Sequence, residues 1–239
     1  MSDTLVIDPE VIEWAVAGKP ASEPHALTAL ASGMPLLVLM HGLGSHEGDL
    51  IQLAPHLPAE FVCASLRAPL RAYEPHDGYS WFPLSLQPGG VTPETAEGSA
   101  ATAAEAVLDW HDALQGRLAT VGAVVTKTAL LGFSQGGVMV TTLLRLRPGV
   151  FSAGVNCSGF VAPGTFDGDA QLTELKQPLF WGRDAADPII SEAAVQLTAE
   201  WAPQHTQLTK REYPGIGHSI SGEEIADINE FLRVHVLSA

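Results

Sequence analysis

Ser134 stands in the run Gly132-Phe133-Ser134-Gln135-Gly136-Gly137, with a glycine two residues before it and another two after. A hydroxyl is a weak nucleophile until a base takes its proton, so a serine that does chemistry needs a histidine in reach and an acid to orient that histidine. Two later stretches offer both. Gly182-Arg183-Asp184-Ala185-Ala186-Asp187-Pro188 carries two acids, and Pro214-Gly215-Ile216-Gly217-His218-Ser219 carries a histidine beside a glycine. An earlier glycine loop, His41-Gly42-Leu43-Gly44-Ser45, can turn a backbone amide toward the same place. The chemistry implied is acyl transfer. His218 takes the Ser134 proton, an acid near Asp187 fixes the imidazole tautomer and stabilises its cation, and the amides of Leu43 and Gln135 bind the oxyanion. Gly-x-Ser-x-Gly alone arises by chance; the order Ser, Asp, His, with each residue just past an expected strand, gives it weight.

Asp184 and Asp187 share one loop, and either could be drawn beside His218. Pro188 disfavours the helical region for the residue before it, so Asp187 is biased toward an extended conformation that projects from a sheet edge. Asp184 lacks that restraint and is expected to cap the turn or remain solvated.

These residues need elements to hold them. Thr128-Ala129-Leu130-Leu131 reads as a buried strand, and Val138 to Arg147 as a helix stopped by Pro148-Gly149. Ser134 therefore falls at a sharp strand-to-helix turn, where the unpaired amides of the helix face a developing negative charge. Pro35 to Met40, Phe61 to Ala64, Ala153 to Cys157, Pro178 to Trp181 and a short Arg211-Glu212-Tyr213 read as further strands. Val11 to Gly18 reads as an edge strand, Lys19 to Gly33 as a loop and Glu47 to Leu57 as a short helix. Thr92-Pro93-Glu94 announces a helix whose packing face is Ala96, Ala100, Ala103, Val107, His111 and Leu114, with Gly116 able to end it. Ser221-x-x-Glu224 forms a capping box, and Ile225, Ile228, Leu232 and Val236 give the last helix its buried face. Alternating strands and helices argue for an α/β chain with a right-handed parallel sheet covered on both faces.

Between Ser65 and Val91 the periodicity fails, yet the stretch holds Tyr73, Tyr79, Trp81 and Phe82. Long loops in compact domains are often functional, so Trp81 and Phe82 are candidates for a substrate wall; a loop pinned to the core by its aromatics is the competing expectation.

Composition narrows the partners. The 239 residues fit one domain, residues 1–239, and show no repeat, linker or composition break. At 46% hydrophobic and 16% charged the chain is neither disordered nor membrane-spanning. A net charge of −15 speaks against nucleic acid and anionic lipid, leaving a small-molecule partner and no obstacle to a homodimer. The Met1-Ser2-Asp3-Thr4 start lacks a secretory pattern, which makes the cytoplasm the expected compartment, and Cys63 and Cys157 fall in apolar runs as buried thiols. Other chemistries find little support. Glu47 stands where a dinucleotide fingerprint needs its third glycine, His46-Glu47 lacks a second histidine for zinc, and His41 reads as a loop-fixing group rather than a base.

With Leu39-Met40-His41-Gly42-Leu43-Gly44, Gly132 to Gly137, Asp187-Pro188 and Gly215-Ile216-Gly217-His218 in view, the chain resembles the phospholipase/carboxylesterase family of α/β-hydrolases from about Leu36 to Leu237. That family includes acyl-protein thioesterases and small bacterial carboxylesterases. The resemblance implies an α/β-hydrolase fold with a mostly parallel central sheet, helices on both faces and no large cap domain. It also implies serine esterase activity on carboxylic esters or thioesters without a cofactor or metal, with Ser134, Asp187 and His218 as the triad and the Leu43 and Gln135 amides in the oxyanion hole. Acyl-protein thioesterases usually carry Asp after His-Gly-Leu-Gly, where this chain has Ser45-His46-Glu47, so the carboxylesterase branch fits better. A dienelactone-hydrolase-type enzyme would place cysteine where Ser134 stands, and a non-catalytic binding module would have lost a triad member. Short to medium acyl chains are the expected substrates.

Overall fold

A strand whose every residue is apolar is stable only with both faces covered, and the apolar runs of this chain are arranged so. The computed structural model describes residues 4–72, 77–84, 90–96 and 98–238. In chain order the elements are β1 (Glu13–Val16), β2 (Lys19–Ala21), α1 (Glu23–Ala31), β3 (Leu36–Met40), β4 (Val62–Leu66), β5 (Leu70–Arg71), β6 (Tyr79–Ser80), α2 (Ser99–Ala119) and β7 (Thr128–Phe133). There follow α3 (Gln135–Leu146), β8 (Ala153–Cys157), α4 (Asp169–Leu175), β9 (Pro178–Arg183), α5 (Glu192–His205), β10 (Gln207–Glu212) and α6 (Gly222–Leu232). Eight strands form one sheet in the order β10-β9-β8-β7-β3-β4-β1-β2, and β5 and β6 form a separate ribbon. Strands β10 to β4 along that order run parallel; β1 and β2 are antiparallel additions at one side.

Side chains alternate across the sheet, and the core divides accordingly. Leu36, Val38, Met40 and Leu130 face one way, against Leu30 of α1, Val107 of α2 and Leu143 of α3. Leu37, Leu39, Leu131 and Val155 face the other, against Leu50 and the α6 residues Ile228 and Leu232. The chain leaves β3 for β4 on one side and returns to β7 on the other, so strand order reverses between β3 and β7. In open parallel sheets the crevice beyond the carboxyl ends of such strands is where ligands sit. Gly42-Leu43-Gly44 follows β3 and Ser134 follows β7, which puts both at that crevice.

Several expectations need correction. β1 is not an edge strand, because Ala17 and Gly18, both at positive φ (50° and 72°), make a tight turn that folds β2 against its outer side. Residues 19–33 are not a loop: Ser22 and Pro24 start α1 in the same way that Thr92 and Pro93 were expected to start α2. Around Pro93 there is only a 3₁₀ turn (Pro93–Ala96), and α2 begins at Ser99 after Gly98. It then runs through Gly116, which in a helix interior costs only about 1 kcal/mol. Leu50–His56 is 3₁₀ rather than α, with Pro55 inside it. In α6 Ser221 Oγ accepts from Glu224 N at 3.0 Å, but the reciprocal half of the capping box is missing: the Glu224 side chain is buried and Ile225 is half-buried instead. Tyr73 lies outside the described residues. Among the described residues no helix is long and apolar enough to cross a membrane, and Cys63 and Cys157 are buried and unpaired.

Candidate active site

The turn at Ser134 can form only because two neighbours lack side chains. A Cβ on Gly132 would lie 2.0 Å from the Gly136 carbonyl oxygen, and one on Gly136 would lie 1.8 Å from the Met40 oxygen. Ser134 itself sits at φ 55° and ψ −114°, a conformation that costs a non-glycine residue on the order of 1–3 kcal/mol. Surrounding hydrogen bonds hold it there. Ser134 N donates to Cys157 O at 2.8 Å, and Val138 N donates to Ser134 O at 3.2 Å.

The three sequence candidates meet at this turn. His218 Nε2 lies 2.8 Å from Ser134 Oγ, and His218 Nδ1 lies 2.7 Å from Asp187 Oδ2. Because an ionised carboxylate only accepts, Nδ1 carries a proton and the neutral ring presents Nε2 as acceptor to the hydroxyl. Asp187 Oδ1 in turn accepts from Ile189 N at 2.8 Å and Ile190 N at 3.3 Å. Burial pushes the Asp187 carboxyl up, but the His218 bond and these two amides outweigh it and hold it below the usual carboxylate range. The His218 ring packs against Phe133 with centroids 4.9 Å apart.

Asp184 is neither solvated nor next to the imidazole. It is buried, its Oδ1 accepts from Ala186 N at 2.8 Å and its Oδ2 accepts from Gly217 N at 2.8 Å. Those amides hold its carboxyl below the usual range. It caps the turn, as expected, and also ties down the loop that carries His218.

The Leu43 and Gln135 amides have no hydrogen-bond partner among the described residues, and Gln135 is the first residue of α3. Both are thus available to an oxyanion beside Ser134. His41 shapes the first of these loops: its Nε2 accepts from Ala68 N at 3.1 Å and its Nδ1 lies 2.8 Å from Gly42 O. Burial pushes its pKa down to about 4, so it stays neutral.

Trp81 and Phe82 are not a substrate wall. Both are fully buried. Trp81 Nε1 donates to His41 O at 2.8 Å, and Trp81 N donates to Gln135 Oε1 at 2.9 Å. Gln135 Nε2 donates to Phe82 O at 2.7 Å, so the side chain beside the nucleophile clamps this loop. An aromatic loop whose polar atoms find partners in the core gains more from burial than from lining a wet crevice. The wall is instead made by Leu43, Leu84, Val91, Phe133, Ile189 and Ile190, which with Ser134 and His218 bound a cleft of about 190 Å³. Among the described residues, a separate apolar groove of about 310 Å³ between Leu5 and α2 holds no serine, cysteine or histidine. Among the described residues no group of His, Cys, Asp and Glu is arranged to hold a metal ion.

Comparison with known proteins defines the class. Residues 31–236 match the model of the phospholipase/carboxylesterase family of α/β-hydrolases, and the chain belongs to that family. A probable carboxylesterase SOBER1-like of Arabidopsis thaliana is 30% identical over 46% of this chain and 43% of its own length, so the match spans under half of that relative. Carboxylesterase SOBER1 of the same plant is 28% identical over 64% of this chain and 67% of its own. The crystal structure of esterase PE8 superposes with a TM-score of 0.69 at 21% identity, covering 97% of this chain and 99% of that one. The fold is that of an α/β-hydrolase.

Proposed function

We propose that the protein is a serine carboxylesterase that cleaves esters of short to medium acyl chains through an acyl-enzyme. The observation that carries this reading is the unbroken hydrogen-bonded chain from Asp187 through His218 to Ser134 Oγ, at 2.7 and 2.8 Å, beside two unpartnered amides. His218 Nε2 accepts the Ser134 proton as Oγ attacks the ester carbonyl, and the imidazolium that forms is stabilised by Asp187. The carbonyl oxygen, now negative, is bound by the Leu43 and Gln135 N–H groups at the positive end of α3. His218 passes its proton to the departing alcohol, and the same steps with water release the acid. Residues 1–239 act as one domain, and the chemistry needs neither cofactor nor metal.

The apolar cleft supports the acyl preference. At about 190 Å³ it falls below the range of roughly 300–1,000 Å³ usual for drug-sized ligands, so a short chain fills it. Ser134→Ala should lower turnover on p-nitrophenyl butyrate roughly 10⁶-fold while the fold persists; residual activity above about a tenth of wild type would end the proposal. Within a graded series of p-nitrophenyl esters, Leu84→Trp should shift the optimum to shorter acyl chains, whereas an unchanged profile would place the acyl group elsewhere. The acyl-protein thioesterase alternative has no specific support here, because Ser45 and Glu47 serve the loop itself. Ser45 Oγ donates to Asp49 Oδ2 at 2.6 Å, and Glu47 pairs with Arg67, whose Nε lies 2.6 Å away.

A further inference from the structure

Two clefts meet at His218, one mainly apolar and the other of mixed polar and apolar lining. The apolar one holds Ser134 Oγ and the Leu43 and Gln135 amides. A second, of about 330 Å³, also borders the imidazole and, among the described residues, shares Phe133 and His218 with the first. Its floor includes Leu53 and Ile220, and its polar groups are Asp49, Gln52 and Ser219. Resting on the esterase reading above, we propose that this second cleft is the leaving-group subsite, and that it takes an alcohol bearing its own hydrogen-bond donors, such as a polyol.

The orientation follows from the proton. A tetrahedral carbon on Ser134 Oγ has three other substituents, of which the oxyanion is directed at the amides. The leaving oxygen must receive the proton held on His218 Nε2, so the alcohol projects past the imidazole and the acyl chain takes the remaining direction. The apolar cleft beside Ser134 suits the acyl chain, and the cleft beyond His218 is left for the alcohol.

The choice of alcohol follows from which polar atoms remain. Asp49 accepts only, and one of its oxygens, Oδ2, already takes the Ser45 hydroxyl at 2.6 Å. Gln52 Nε2 uses one of its two N–H donors on Gly48 O at 2.9 Å and keeps the other for a ligand hydroxyl. Asp49 Oδ1 and Gln52 Oε1 have no partner among the described residues, and both are acceptors. A ligand without donors would strip water from these acceptors and give nothing back, whereas a hydroxylated alcohol replaces that water in kind. The Ser45 bond also fixes the Asp49 carboxylate before any substrate arrives.

The test compares two esters of one acid that are equal in shape: 2,3-dihydroxypropyl butyrate and 2-methylbutyl butyrate. The intrinsic reactivities of the two esters cancel when the ratio of their kcat/KM values in wild type is set against the ratio in a variant. Asp49→Asn and Gln52→Met should each shrink the wild-type preference for the dihydroxypropyl ester, the Asp49 change by roughly fivefold or more, since a charge-assisted hydrogen bond is lost. Asp49 and Gln52 are both exposed, so both variants should fold, and either one carries the test if the other does not. Ratios that stay within twofold of wild type, with both esters still hydrolysed, would overturn the subsite and leave the esterase reading standing. If wild type hydrolyses neither these esters nor p-nitrophenyl butyrate, the esterase reading falls and the subsite with it.

Discussion

Asp184 and Asp187 are three residues apart, and the two carboxylates divide two tasks that a single acid could not perform. Asp187 touches the imidazole; Asp184 holds the backbone of the loop that presents it. Replacing Asp187 by Asn removes the acceptor that keeps Nδ1 protonated and favours the wrong tautomer, a change that costs serine proteases about 10⁴-fold in turnover. Asp184→Asn instead offers an amide where Gly217 N needs an acceptor. That variant should lower the thermal midpoint, since a backbone amide loses its acceptor, and keep turnover within about tenfold. Turnover on one activated ester and thermal midpoints for both variants decide the matter; the reverse ranking in turnover would reassign the acid. That Asp187 rather than Asp184 would lie beside the imidazole was legible in the sequence, where Pro188 favoured it. The grip of Asp184 on Gly217 was not, since it joins residues from two separate loops and no local pattern records it.

At the scale of elements, glycine and proline punctuation made the strand-to-helix turn and the three loops readable, while side chains that act across the fold stayed hidden. Gln135 was expected to contribute an amide N–H; that its side chain also clamps Trp81 and Phe82 depends on a contact between distant segments. The aromatic loop read equally as a substrate wall and as a loop pinned to the core, and the burial of Trp81 and Phe82 matches the second. Helix α6 misled in a second way: a capping box predicts Glu224 at the surface, but packing turned it inward. Its carboxylate oxygens have no hydrogen-bond partner among the described residues, and one of them occupies the space that a Cβ on Gly182 would need. Burial pushes the Glu224 carboxyl up to about 7. Cys157 of β8 opposes that rise, and Asp227 of α6, a like charge, adds to it. Because the folded pKa exceeds the unfolded one, the stability Glu224 contributes is complete below the unfolded value of 4.5 and is lost as pH rises through about 7. Glu224→Gln should abolish that loss, making the variant about 3 kcal/mol more stable than wild type above pH 8. Melting temperatures recorded from pH 4 to 9 test this; parallel curves for the two proteins would show that Glu224 is not held neutral by the fold.

Across the whole molecule, the reversal of strand order between β3 and β7 brings together residues that are far apart in sequence. The Leu43 loop follows β3, Ser134 follows β7, Asp187 follows β9 and His218 follows β10, so all four emerge at one edge of one sheet. The parallel core was legible because runs such as Leu36 to Met40 have no polar face; the antiparallel pair β1 and β2 was misread because short, half-exposed strands carry little periodicity. The central claim is that this edge assembles a covalent catalyst at Ser134. A fluorophosphonate probe tests it most directly, since the probe reacts only with a serine whose neighbours have made it nucleophilic. Intact mass should rise by one phosphonyl group, peptide mapping should place that group on Ser134, and ester hydrolysis should disappear in step with labelling. An unmodified Ser134, or a modified one in a protein that still hydrolyses esters, would contradict the account.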